Sequence, residues 1–261
     1  MFLPLHDDNP LKIIRFQYVT VAFMAACVAV FLYQLSLDGR DGQVFVVGFG
    51  AIPAVLFGEA TLPRDLAHAP AALSLVTSMF LHGGFMHLAG NMLFLWVLGD
   101  NVEDAMGHKR FVAFYLLAGV VAALAHGLAD PASKVPMIGA SGAISGVIGA
   151  YLVLHPKARI KVLVSYFLVW LPAYVVLGAW IGLQFLSAAM DSGGAGGVAW
   201  WAHIGGFFAG IALIFPMRSK EVPLFDRDQE KFEFRPKVAK APRRRSRIPD
   251  SGRSFGRQGK P

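Results

Sequence analysis

The sequence predicts an all-α polytopic membrane protein, a bundle of six transmembrane helices, on three observations. Hydrophobic residues make up 55% of the 261-residue chain, charged residues make up 16%, and the mean hydropathy is +0.52, a balance outside that of soluble domains. Apolar runs recur at 16–37, 84–103, 110–129, 139–155, 161–190 and 199–217, and crossing a hydrocarbon core of ~30 Å takes about 20 helical residues. Basic residues alternate between the ends of these runs. Lys12 and Arg15, Lys109 and Arg110, Lys157, Arg159 and Lys161, then Arg218 and Lys220 fall on one side, against Arg40, Arg64 and Lys134 on the other. The positive-inside rule then puts both termini in the cytoplasm, so that the second, fourth and sixth spans run inward from the outer face.

Residues 1–15 read as a short cytoplasmic segment, and the unit from 16 to 217 as the membrane domain. The first span exceeds the ~7–15-residue apolar core of a secretion signal and no small-residue cleavage pattern follows it, so it is expected to be retained. Cys27 is the single cysteine, which excludes an intrachain disulfide and a cysteine-based metal site. The connection 38–83 contains the apolar run 45–57, too short and too interrupted by Gly and Pro to cross; it is expected to be interfacial or partly embedded.

The second span opens His82-Gly83-Gly84-Phe85-Met86-His87-Leu88-Ala89-Gly90-Asn91. His87 and Asn91 are four apart and share a helical face, and burying them in lipid without partners costs several kcal/mol, so they should face the bundle interior. Interhelical hydrogen bonding is the plain alternative. Metal binding is disfavoured, because asparagine is a poor ligand and no carboxylate accompanies the pair. Asp100, Glu103 and Asp104 lie at the inner end of the span, a bilayer away from His87, and are assigned to capping and turns at the junction with the third span. His126, at the outer end of the third span, has no partner at helical spacing.

The fourth run is the one the rest is organised around. Gly142, Gly146 and Ala150 form one row of small residues at four-residue spacing, and Ser141, Ser145 and Gly149 form another, so neighbouring backbones can approach on two sides and the helix should be central. Ser141 opens it between Gly139 and Gly142, unshielded by its neighbours. The run ends at His155-Pro156, where proline stops a helix. The fifth run is longer than needed and carries Pro172, so it is expected to be tilted, kinked or broken; it has no charged residue between Lys161 and Asp191. A glycine-rich stretch at 191–197 leads to the sixth, where His203, Gly206 and Gly210 line one face shaped to lie tightly on the fourth. The segment 218–261 is basic and poor in large apolar residues, and disorder is expected there. Fourteen of the 24 Lys and Arg residues lie beyond Pro216, so the net charge of +7 points to anionic lipid at the cytoplasmic surface rather than to nucleic acid.

His87, Asn91, Ser141 and His203 all stand near the starts of even-numbered spans running in one direction, so they should share one depth near the outer leaflet. Serine is a poor nucleophile until a base takes its proton, and a neutral histidine close by can do so. No Asp or Glu lies at that depth to orient the imidazole, so a Ser141/His203 dyad is expected rather than a triad. The oxyanion would be met by the backbone N–H of Ser141 and the side chains of His87 and Asn91. No cofactor is called for.

These motifs, Gly139-Ala140-Ser141-Gly142, His203 with Gly206 and Gly210, His82 with His87 and Asn91, and Gly99 to Gly107 around Glu103, resemble those of the rhomboid intramembrane serine proteases over roughly residues 73–217. The resemblance implies a rhomboid-like six-helix bundle with Ser141 as nucleophile, His203 as general base, and His87 and Asn91 as oxyanion-hole donors. It implies substrates that are single-pass transmembrane proteins, and a bacterial inner membrane is the expected location. His82 matches a recurrent family histidine and is given no chemical role. Where some members carry a tyrosine one turn below the serine, this chain has Ser145, and a tryptophan-arginine pair often found in the outer loop is not evident. Two other classes stand beside it: a non-catalytic rhomboid-like scaffold that binds transmembrane clients, whose members usually lack the serine or histidine, and a small transporter, for which charged or broken midplane segments are wanting.

Overall fold

In the computed structural model, which describes residues 2–190 and 198–225, the chain begins with strand β1 (Phe2–Asp7). Helices α1 (Tyr18–Ser36), α2 (Gly39–Phe49), α3 (Pro53–Leu56), α4 (Ala71–Thr77), α5 (Phe85–Met106), α6 (His108–Ala129) and α7 (Ser141–Leu154) follow. Strands β2 (Arg159–Val164) and β3 (Phe167–Pro172) then lead to α8 (Ala173–Met190) and α9 (Trp200–Met217). The glycine-rich stretch at 191–197 and the basic segment from 226 onward lie outside the described residues.

The protein is an integral membrane protein, and helices dominate it as the apolar runs predict. Four of them, α1, α6, α8 and α9, are long and apolar enough to cross a membrane. The segment Ala71–Phe80 and α5 pass the same measure as a pair, bent by 84°. At 14 residues, α7 is only about 21 Å long, short of a ~30 Å core.

Two regions depart from expectation. The fifth apolar run begins as a β-hairpin: β2 pairs antiparallel with β3, from Arg159 opposite Pro172 to Val164 opposite Phe167. It turns at Ser165, whose φ is +56°, and only α8 is left as the helix. Within β2 the residues alternate, with Ile160 and Val162 fully buried and Arg159 exposed, the period of a half-buried strand. The N-terminal segment supplies the third strand: β1 pairs antiparallel with β2, with Leu3 opposite Leu163 and Asp7 opposite Ile160. A small three-stranded sheet is therefore added at one end of the helical bundle.

The acidic residues of α5 cap, but not where expected. Glu103 is fully buried and accepts hydrogen bonds from the N–H groups of Val19 (3.0 Å) and Thr20 (2.8 Å) and from the Thr20 hydroxyl (2.7 Å). It thus satisfies orphan donors in the first turn of α1, and it also pairs with His108 at the start of α6. Asp104 accepts from the N–H groups of Lys12, Ile13 and Ile14 at 2.6–2.9 Å. Sequence-distant carboxylates on α5 thereby hold the chain entering α1.

The centre of the bundle is α7, buried along nearly its whole length. A Cβ at Gly206 or Gly210 of α9 would collide with the carbonyl oxygens of Gly142 and Gly146. On the other side, a Cβ at Gly142 or Gly146 would stand 2.7 or 2.6 Å from the methyls of Ala122 and Ala118 of α6. A Cβ at Gly149, from the second row, would likewise collide with the Phe207 carbonyl of α9, so both rows of small residues are used for backbone approach.

Candidate active site

Ser141 is the first residue of α7, where N–H groups have no partner within the helix. Ahead of it Gly139 takes a φ of +120°, a conformation favouring glycine. A Cβ there would stand 2.7 Å from His87 Nε2 and 3.7 Å from Asn91 Nδ2. The turn into α7 is therefore built of glycine because two side chains of α5 lie against it.

The close packing of α9 on α7 brings His203 Nε2 to 2.9 Å from the Ser141 hydroxyl. Nδ1 of the same ring lies 2.7 Å from Oε1 of Gln184 on α8, an atom that can only accept. Nδ1 accordingly carries the proton, and Nε2 offers its lone pair to the serine O–H. Two tryptophans flank the imidazole, Trp180 with centroids 5.9 Å apart and Trp200 edge-on at 6.2 Å. Ser145, one turn further along α7, donates its hydroxyl to the Ser141 carbonyl at 2.6 Å.

His87 Nδ1 accepts from the Gly83 N–H at 3.3 Å, so its Nε2 carries the proton and directs it toward Gly139. Asn91 is buried, and its Nδ2 has no hydrogen-bond partner among the described residues. An unpaired buried amide donor is costly; here it sits beside the start of α7, where a developing negative charge could meet it. His82 does something else. Its N–H donates to Gln34 Oε1 at 3.1 Å, Gln34 Nε2 returns a bond to its carbonyl at 3.2 Å, and its ring meets that of His87 edge-on at 5.2 Å. It ties α1 to the entry of α5.

His87, Asn91, Ser141 and His203 line one cavity of about 880 Å³. His126 lines it too, although nothing in its helical spacing linked it to the others. Gln184 lies in the fifth run without any charge to mark it. A lone amide in a helix otherwise made of apolar and small residues was the available signal.

A family model described as a rhomboid domain matches residues 70–220. Over 200 residues the chain is 33% identical to the rhomboid protease GluP of Bacillus subtilis, covering 76% of this chain and 35% of that protein. It is 34% identical over 155 residues to RHOMBOID-like protein 5 of Arabidopsis thaliana, with 59% and 47% covered. Against the mitochondrial presenilin-associated rhomboid-like protein of Mus musculus it is 30% identical over 193 residues, with 67% and 48% covered. The chain thus spans between a third and a half of the length of these relatives.

Proposed function

Because this chain belongs to the rhomboid family, we propose that it is an intramembrane serine endopeptidase. In this reading it hydrolyses peptide bonds in or near the transmembrane segments of single-pass membrane proteins. The observation that carries it is the 2.9 Å approach of His203 Nε2 to the Ser141 hydroxyl at the wall of an open cavity. Residues 16–217 form the protease unit, flanked by 1–15 and 218–261.

Nε2 of His203 takes the Ser141 proton as Oγ attacks the scissile carbonyl, and the imidazolium returns it to the leaving amine. The oxyanion of the tetrahedral intermediate is met by the Ser141 N–H, the His87 Nε2–H and the Asn91 amide, donors in place before charge develops. Water entering the cavity then attacks the acyl-enzyme, with His203 again the base. The distribution of Lys and Arg supports cytoplasmic termini and a cavity opening toward the outer leaflet; a bacterial inner membrane is the location this reading assigns.

Purified protein is offered a model transmembrane substrate and a fluorophosphonate. Wild type is expected to cleave the first and be labelled by the second at Ser141, with both activities absent from Ser141→Ala and cleavage absent from His203→Ala. Cleavage that survives either substitution overturns the dyad. Substrate capture without cleavage or labelling by wild type would instead identify a scaffold that binds transmembrane clients.

A further inference from the structure

General-base catalysis by His203 needs an unprotonated Nε2, which puts the proton of the neutral ring on Nδ1. Gln184 supplies the acceptor for that proton, at 2.7 Å from Nδ1, on a side chain only 7% exposed. Its amide is held one way round. The Nε2 group donates to the Trp180 carbonyl at 3.2 Å; a reversed amide would set two oxygens against each other and aim N–H at Nδ1. The ring of Trp180, one turn earlier on α8, stands 5.9 Å from the imidazole. One helix therefore provides both a hydrogen-bond acceptor and an aromatic wall for a histidine carried by another.

We propose that Gln184 is the positioning residue of His203, a neutral amide in the place a carboxylate takes in a three-membered serine site. The proposal rests on Ser141 and His203 being the reacting pair. An amide suits this setting because it fixes the tautomer without placing a further charge among apolar helices. No proton passes to Gln184: the Ser141 proton moves to Nε2 and then to the leaving amine, while Nδ1 keeps its proton, hydrogen-bonded to Oε1 throughout.

Two variants test this in the full-length protein in detergent. Gln184→Met keeps the length and bulk of the side chain and removes the acceptor; Gln184→Glu keeps an acceptor and adds charge. For Gln184→Met, kcat on a transmembrane substrate is expected to fall about 10- to 100-fold, part of the ~10²–10⁴ that a general base contributes, with KM within about twofold. Gln184→Glu is expected to recover most of that loss and to move the acid limb of the kcat profile to higher pH, because a facing carboxylate favours the imidazolium. Independently of turnover, ¹⁵N NMR of histidine-labelled protein should place the His203 proton on Nδ1 in wild type and shift it toward Nε2 in Gln184→Met. Unchanged kcat in Gln184→Met, an unchanged tautomer, or a loss of activity that only follows a loss of melting temperature would overturn the assignment. Failure of the protease reading looks different: wild type itself neither cleaves nor takes the fluorophosphonate, and the NMR arm still decides what Gln184 does to the ring.

Discussion

Asn91 shows how a single side chain separates folding from chemistry at this site. Its buried Nδ2 donor is unpartnered among the described residues, which is a standing cost of roughly 1–3 kcal/mol. Truncating it should not destabilise the fold in proportion to its burial. Asn91→Ala is expected to keep or raise the melting temperature while kcat falls about 10²- to 10³-fold, the usual loss for one oxyanion donor. Steady-state kinetics beside a thermal melt checks this, and full activity across several substrates would remove Asn91 from the mechanism. Ser141, His203, His87 and Asn91 were legible because polar groups at the starts of co-directional spans must share a depth. Gln184 was not, because no charged or ionisable residue of α8 stands at helical spacing from it and only the folded packing sets it against His203.

Between elements, the glycines of α7 and α9 set the site as firmly as the reacting groups do. Since a Cβ at Gly206 would collide with the Gly142 carbonyl, and backbone cannot rotate away as a side chain can, Gly206→Val must push α9 outward and carry His203 with it. We expect a destabilisation of at least about 1–3 kcal/mol, together with loss of fluorophosphonate labelling at Ser141. A variant that labels at the wild-type rate would show that the helix contact does not position the imidazole. This face was readable from the spacing of His203, Gly206 and Gly210. The hairpin was hidden because residues 161–190 form a single apolar run, in which hydropathy outweighs the alternation of Arg159, Ile160, Lys161 and Val162. Long-range capping by Glu103 was equally unreadable: its partners Val19 and Thr20 lie more than 80 positions away, and only the bundle brings them together.

Across the whole molecule, Asp7 joins the sheet to the helices. Its Oδ2 accepts from Asn101 of α5 at 2.9 Å and from Tyr151 of α7 at 2.6 Å. Burial raises its pKa from 3.8 to about 6, with the Tyr151 hydrogen bond opposing and the Asp8 charge assisting. The folded protein therefore holds a proton that the unfolded chain has already released. The associated stability is complete below about pH 3.8 and is lost as pH rises through about 6. Thermal melts from pH 4 to 7 should show wild type losing ground to Asp7→Asn as pH rises; parallel curves would contradict a buried, protonated Asp7. The sheet that Asp7 anchors also imposes an order of events on biosynthesis. Residues 2–7 leave the ribosome roughly 150 residues ahead of the hairpin they pair with, an interval of about 8–30 s at 5–20 residues per second. During that time a ready-made edge has no mate. The sheet can be sealed only after most of the membrane domain has been translated, so its closure comes after α1 to α7 have been made.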